Sequence, residues 1–289
     1  MNKKTSRGIA AYLLLSFGGA WALWLAAARL FDVSPQSPLF QLLLLPGGFA
    51  PAGAAYVVRG WVTGEGFADV GLRPNLRRWR PYAFGLLWPL AGVLAITALA
   101  GTLGIAEPDP TLGRALSVLA PGEDAPPLPP LLWAVVPVQL LVFSILITPL
   151  LFGEEFGWRG YLQKRLFAGR PLLAAVATGL IWGVWHYPLV LAGYQYPDDR
   201  LLGLAVFPVS CVLLSVVFGW LQDWAGSVWA PSLAHAATNA VGGSLLTLLF
   251  LGGPNWIFVS YLGILGWAPA GVLCFWIVLT GRLRTGRPR

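Results

Sequence analysis

Charge is scarce in this chain: 12 acidic and 19 basic residues make up 11% of its 289 positions, against roughly 25% in ordinary soluble domains. So low a share excludes a soluble domain of the usual make. Cysteine is equally sparse, with Cys211 and Cys274 lying in separate apolar runs. Two such residues make neither a disulfide framework nor a CxxC metal or redox motif. There is no Gly-x-Ser-x-Gly elbow and no His-Glu-x-x-His zinc helix. The net charge of +7 forms no basic stripe interleaved with polar residues, which removes nucleic acid as a partner.

What is present is grease. Hydrophobic residues are 57% of the sequence and the mean hydropathy is +0.69. Several runs reach the roughly 20 apolar residues that a spanning helix needs, because lipid cannot satisfy exposed backbone groups. The expected fold is all-α: a polytopic integral membrane protein of about eight helices, at 9–30, 39–59, 81–105, 131–153, 171–194, 201–222, 227–250 and 256–281. The first run, preceded by Lys3, Lys4 and Arg7, is too long for a signal-peptide core and reads as a retained helix.

Positive charge then orients the chain. Arg59, Arg73, Arg77, Arg78 and Arg80 follow the second span, Lys164, Arg165 and Arg170 the fourth, and Arg282, Arg284, Arg287 and Arg289 the last. All of these fall on one side when the number of spans is even, which puts both termini in the cytoplasm of a bacterial or archaeal cell. The loop from Glu107 to Pro130, with Glu123, Asp124 and several prolines, reads as an irregular connection on the opposite side. Three parts follow: N-terminal helices and loops over 1–130, a helical core over 131–250, and a last helix with a basic tail over 251–289.

Ionisable residues at membrane depth are costly and default to a functional reading. The two histidines of the chain, His186 and His235, both lie inside apolar spans, and Glu154 and Glu155 sit where the fourth span loses hydropathy. The apolar pattern continues through Trp158, Tyr161 and Leu162, so this helix is expected to run on to Lys164 and Arg165. At about 1.5 Å per residue, Glu154 then lies roughly 15 Å from Lys164, His235 roughly 17 Å from Trp224 and His186 roughly 24 Å from Arg170. Tilt, or a kink at Pro188, has to absorb the last figure. Arg159 follows Glu155 by four residues and shares its face as an ion pair, while Glu154 points about 100° away. His235 and Asn239 have the same spacing. Singly, each pair also reads as ordinary helix-end or interhelical bonding.

Together they form a constellation that resembles the CAAX protease and bacteriocin-processing (CPBP, or Abi) family of intramembrane peptidases. Glu154, Glu155 and Arg159 match its Glu-Glu-x-x-x-Arg. Trp182 and His186 match an aromatic followed four residues later by histidine, with tryptophan where phenylalanine is common. His235 and Asn239 match His-x-x-x-Asn/Asp, and Gly71-Leu72-Arg73-Pro74 looks like a weaker upstream feature. The resemblance covers about 150–245.

It implies a CAAX-prenyl-protease-like endopeptidase, a hydrolase cutting a membrane-associated peptide or protein, lipidated or plain. Glu154 is then the base that activates water, its basicity helped by a low-dielectric site. His186 orients water or shuttles the proton, while His235 and Asn239 donate to the oxyanion. Glu155, Arg159 and Trp182 support the site. The same residues admit a metalloprotease, with Glu154, His186 and His235 as Zn2+ ligands, so the cofactor is none or zinc. A non-enzymatic scaffold or bacteriocin-immunity protein on the same fold is the other expectation; a proton-coupled transporter finds little support, as no internal repeat is visible.

Overall fold

The computed structural model describes residues 2–31, 33, 37–119, 130–253 and 255–283. Glu123, Asp124, Arg284, Arg287 and Arg289 lie outside them. Among the described residues every regular element is helical. Five helices are long and apolar enough to cross a membrane: α1 (Lys3–Leu30), α2 (Leu39–Val62), α3 (Trp79–Thr102), α5 (Ala134–Arg165) and α8 (Arg200–Ala225). Between them lie α4 (Gly113–Leu119), α6 (Pro171–Trp185) and α7 (Tyr187–Ala192). After α8 come α9 (Trp229–Ala237), prolonged by a π-turn over Thr238–Ser244 and a last turn over Leu245–Leu249, then α10 (Trp256–Val259) and α11 (Trp267–Leu279). Helix thus occupies each of the eight expected spans, and the protein is an integral membrane protein.

Three spans differ from the hydropathy reading, the last because turns over 260–266 leave Trp256–Val259 and Trp267–Leu279 as separate helices within 256–281. The fourth does run on, through a π-turn over Trp158–Leu162, to Arg165. The fifth breaks. Its first part ends at His186, whose N–H turns back to the Gly183 carbonyl at 3.1 Å. The chain restarts at Tyr187 with Pro188 in the first turn, where a missing donor costs nothing. A window of hydropathy cannot see this, because apolar residues continue across the break.

Packing is organised around α8, which is 61% buried against 17% for α5. α6 lies close along α8 because glycines remove the side chains between them. A Cβ at Gly183 would stand 2.5 Å from Pro208 Cα, and one at Gly179 2.5 Å from Val212 Cα. Small residues at a contact are how membrane helices gain dispersion energy without a hydrophobic driving force. On the outside, Leu14, Leu94, Leu146, Leu201 and Val272 are largely exposed, the surface a bilayer requires.

α1 reaches into this core. Trp21 Nε1 donates to the Trp185 carbonyl at 2.8 Å, Trp185 Nε1 to the Ser16 carbonyl at 3.2 Å, and Tyr12 packs on Trp158 and Tyr161. These indole bonds satisfy polar groups that lipid would leave unpaired.

The stretch between α2 and α3 is pinned down rather than loose. Arg59, expected to be a topology charge, is fully buried. It forks onto Asp69 at 2.7 and 3.0 Å and reaches the Gly66 and Gly160 carbonyls at 2.5 and 2.9 Å. Lys164 donates to the Asp69 carbonyl, and Arg165 pairs with Glu65 at 2.7 Å. Gly71, at φ +78°, accepts from the Val228 N–H at 3.0 Å, and a Cβ there would meet the Gly226 carbonyl at 2.9 Å. Leu72 accepts from Trp229 Nε1 at 2.7 Å. The Gly-Leu-Arg-Pro stretch therefore docks on the turn that launches α9. Arg73, Arg77 and Arg80 stay exposed.

Candidate active site

Trp182 sits at the centre of the expected residues. Its Nε1–H donates to Glu154 Oε2 at 2.7 Å. Its ring lies edge-on to His235 with centroids 5.2 Å apart, and to His186 with centroids 5.8 Å apart. Acid and both imidazoles, from α5, the end of α6 and α9, thus gather on one indole, as the depth argument anticipated.

Behind them lies a carboxylate shared by two partners. Glu155 Oε1 accepts from Arg159 Nη1 at 3.1 Å and from His235 Nδ1 at 2.9 Å. Glu155 and Arg159 are fully buried, and the guanidinium lies 4.5 Å from the Trp182 ring centre and 5.1 Å from that of Phe218. The ion pair with Arg159 follows from four-residue spacing. The link to His235 does not, since it joins residues 80 apart in sequence. Glu154, in contrast, is only partly buried. One glutamate is held between two buried partners, while its neighbour turns to Trp182 on another face of the helix.

Both histidines have one nitrogen tied. His186 Nδ1 lies 2.9 Å from the Trp182 carbonyl, and a carbonyl oxygen can only accept, so Nδ1 carries the hydrogen. The carboxylate partner imposes the same tautomer on His235. In the neutral form each ring therefore keeps a bare Nε2 lone pair. His186 is further enclosed by Trp185 at 4.7 Å, Phe207 at 4.9 Å and Trp24 at 6.2 Å between ring centres. Sequence reasoning missed Trp24 and Phe207, which carry no signal beyond being aromatic. Asn239 is the second residue of the π-turn after α9 and is exposed. Among the described residues no group of three His, Cys, Asp or Glu side chains stands in a metal-holding arrangement. Glu154, His186 and His235 as placed thus do not fit a three-ligand zinc centre.

Comparison with known proteins bears on the same stretch. Residues 133–241 match the model of the family described as type II CAAX prenyl endopeptidase Rce1-like. That stretch of the chain is similar to this family. A CAAX prenyl protease 2 of Methanococcus maripaludis is 32% identical over 74 residues, covering 24% of this chain and 27% of that protein. The chain is thus aligned with only about a quarter of that relative's length. The resemblance read from Glu154-Glu155, His186 and His235 holds, and all three motifs fall inside the matched residues 133–241.

Proposed function

We propose that this protein is an intramembrane endopeptidase that hydrolyses a peptide bond in a membrane-associated peptide or protein, with a prenylated C-terminal segment as the favoured substrate class. The observation that carries this reading is the gathering of Glu154, His186 and His235 on Trp182 within the matched residues 133–241.

Glu154 takes a proton from water as the water oxygen bonds to the scissile carbonyl carbon and the carbonyl pair moves onto oxygen. His186 keeps that water in line through Nε2 and relays the proton to the departing nitrogen. The C–N bond then breaks to give a carboxylate and an amine. Donors to the oxyanion are the Asn239 amide and His235. For the latter Nε2 has to carry a hydrogen, so the working His235 is an imidazolium, with Glu155 as its counter-charge. A preorganised donor of this kind is worth about 3–4 kcal/mol in kcat. The mechanism is metal-independent. The exposed Arg73, Arg77 and Arg80 and the basic start of α1 support cytoplasmic termini.

The test is cleavage of membrane-anchored fluorogenic peptides, farnesylated and plain, by wild type and Glu154→Gln, each with and without a zinc chelator. Cleavage lost in the variant and indifferent to chelator is the expected result. Wild-type rates in Glu154→Gln overturn it; chelator-sensitive cleavage restored by zinc transfers Glu154, His186 and His235 to a metal.

A further inference from the structure

α6 and α11 both pack along α8, yet between the N-terminal end of α6 and the C-terminal end of α11 they leave a groove of about 450 Å³. Leu172, Leu173 and Val278 are exposed along it, and Ile277 is fully buried at its floor. The walls are apolar and contain no carboxylate. The polar side chain among the lining residues is Arg170, at one end. At the same end Arg282, between the lining residues Gly281 and Leu283, stands 4.3 Å over the Trp276 ring.

The two helix ends carry the cations and an indole, which is headgroup depth for a membrane protein, whereas Val176 and Ile277 lie further toward the apolar interior. An apolar slot of this size facing lipid has to be filled, and its aliphatic walls suit an acyl chain. The chemistry at the mouth fits an anion, since basic pockets between helix ends recognise anionic headgroups and each surface cation adds to the attraction.

We propose that this groove binds an anionic phospholipid, with one acyl chain along Val176 and Ile277 and the phosphate against Arg170 and Arg282. The lipid completes the contact between α6, which ends in His186, and α11. It acts away from Glu154 and is independent of the peptidase reading.

The experiment is native mass spectrometry of delipidated full-length protein, offered phosphatidylglycerol or phosphatidylcholine of identical acyl chains. Wild type is expected to retain phosphatidylglycerol about tenfold better. Arg170→Gln with Arg282→Gln should lower retention to the phosphatidylcholine level, while the exposed pair Arg73→Gln with Arg77→Gln should leave it unchanged. Val176→Trp, or Leu173→Trp where the first does not fold, should reduce retention of both lipids. Equal retention of the two lipids by wild type overturns the proposal, as does equal loss in the control pair or full binding in the groove-filling variant. A dimer that Val176→Trp dissociates also overturns it, and so does displacement by an equimolar farnesylated peptide, which makes the groove a substrate-tail site.

Discussion

Glu155→Leu should cost this protein more than any other single change at the site, and the structure says how much. The carboxylate accepts from Arg159 at 3.1 Å and from His235 at 2.9 Å, and hydrogen bonds to charged groups contribute about 1.5–3 kcal/mol each. Removing it strands a fully buried guanidinium whose Nε and Nη2 have no hydrogen-bond partner among the described residues. Breaking a buried pair from one side costs about 3–5 kcal/mol, which agrees with two such bonds. Replacing both members, Glu155→Leu with Arg159→Met, leaves no stranded charge and should recover most of that loss, since buried pairs exchanged for apolar groups are often neutral. Activity should not recover, because His235 has lost the acceptor that fixes its ring. The assay is thermal unfolding in detergent beside cleavage of the same peptide. A single variant that unfolds with wild type, a double variant less stable than either single, or cleavage restored along with stability would each refute the reasoning.

Other variants probe other links. Trp182→Phe removes the N–H to Glu154 while keeping a ring against both histidines; kcat should fall about 10- to 100-fold, the worth of one charge-assisted bond, and unfolding should barely move. A loss as complete as that of Glu154→Gln would give Trp182 a larger role. Gly183→Val forces side-chain atoms into Pro208, and overpacking of this kind costs about 1–3 kcal/mol, read as a lower unfolding temperature; an unchanged value would refute the close approach. Burial raises the Asp69 pKa, but the hydrogen bonds and charge of Arg59 outweigh it, and its carboxyl is held below the usual range. A depressed folded pKa gives stabilisation that is full above about pH 4 and lost as pH falls through the folded value. Proteolysis between residues 63 and 78 should therefore be slow at pH 7 and rise below pH 4, and Asp69→Asn should abolish that pH dependence.

The parts of the site that sequence disclosed are those encoded by local spacing. Glu155 and Arg159 lie one turn apart on a single helix, and polar residues inside apolar runs announce themselves by cost, which is why Glu154, His186 and His235 were legible. The parts that were hidden depend on contacts between distant residues or on backbone bonds. The His235–Glu155 link crosses 80 residues. The π-turns after Glu155 and His235 have no hydropathy signature, and the break at His186 is masked by the apolar residues on either side. Arg59 misled because an arginine at the end of a span usually marks the aqueous side. Asp69, ten residues on, takes it inside as half of a bidentate pair. Asn239 was placed on the His235 face by ideal α-helical spacing, and a π-turn begins between them, at Thr238.

The tethering of both imidazoles through Nδ1 also sets the idle state of the site. With neutral rings, each Nε2 is a bare acceptor, as are the Glu154 carboxylate oxygens, so these groups are rich in lone pairs and short of hydrogen. Ester and amide carbonyls, which lipids and neighbouring helices supply in abundance, meet repulsion there, whereas water is welcome on every side. Selectivity against the surrounding membrane is thus built into where two hydrogens are kept.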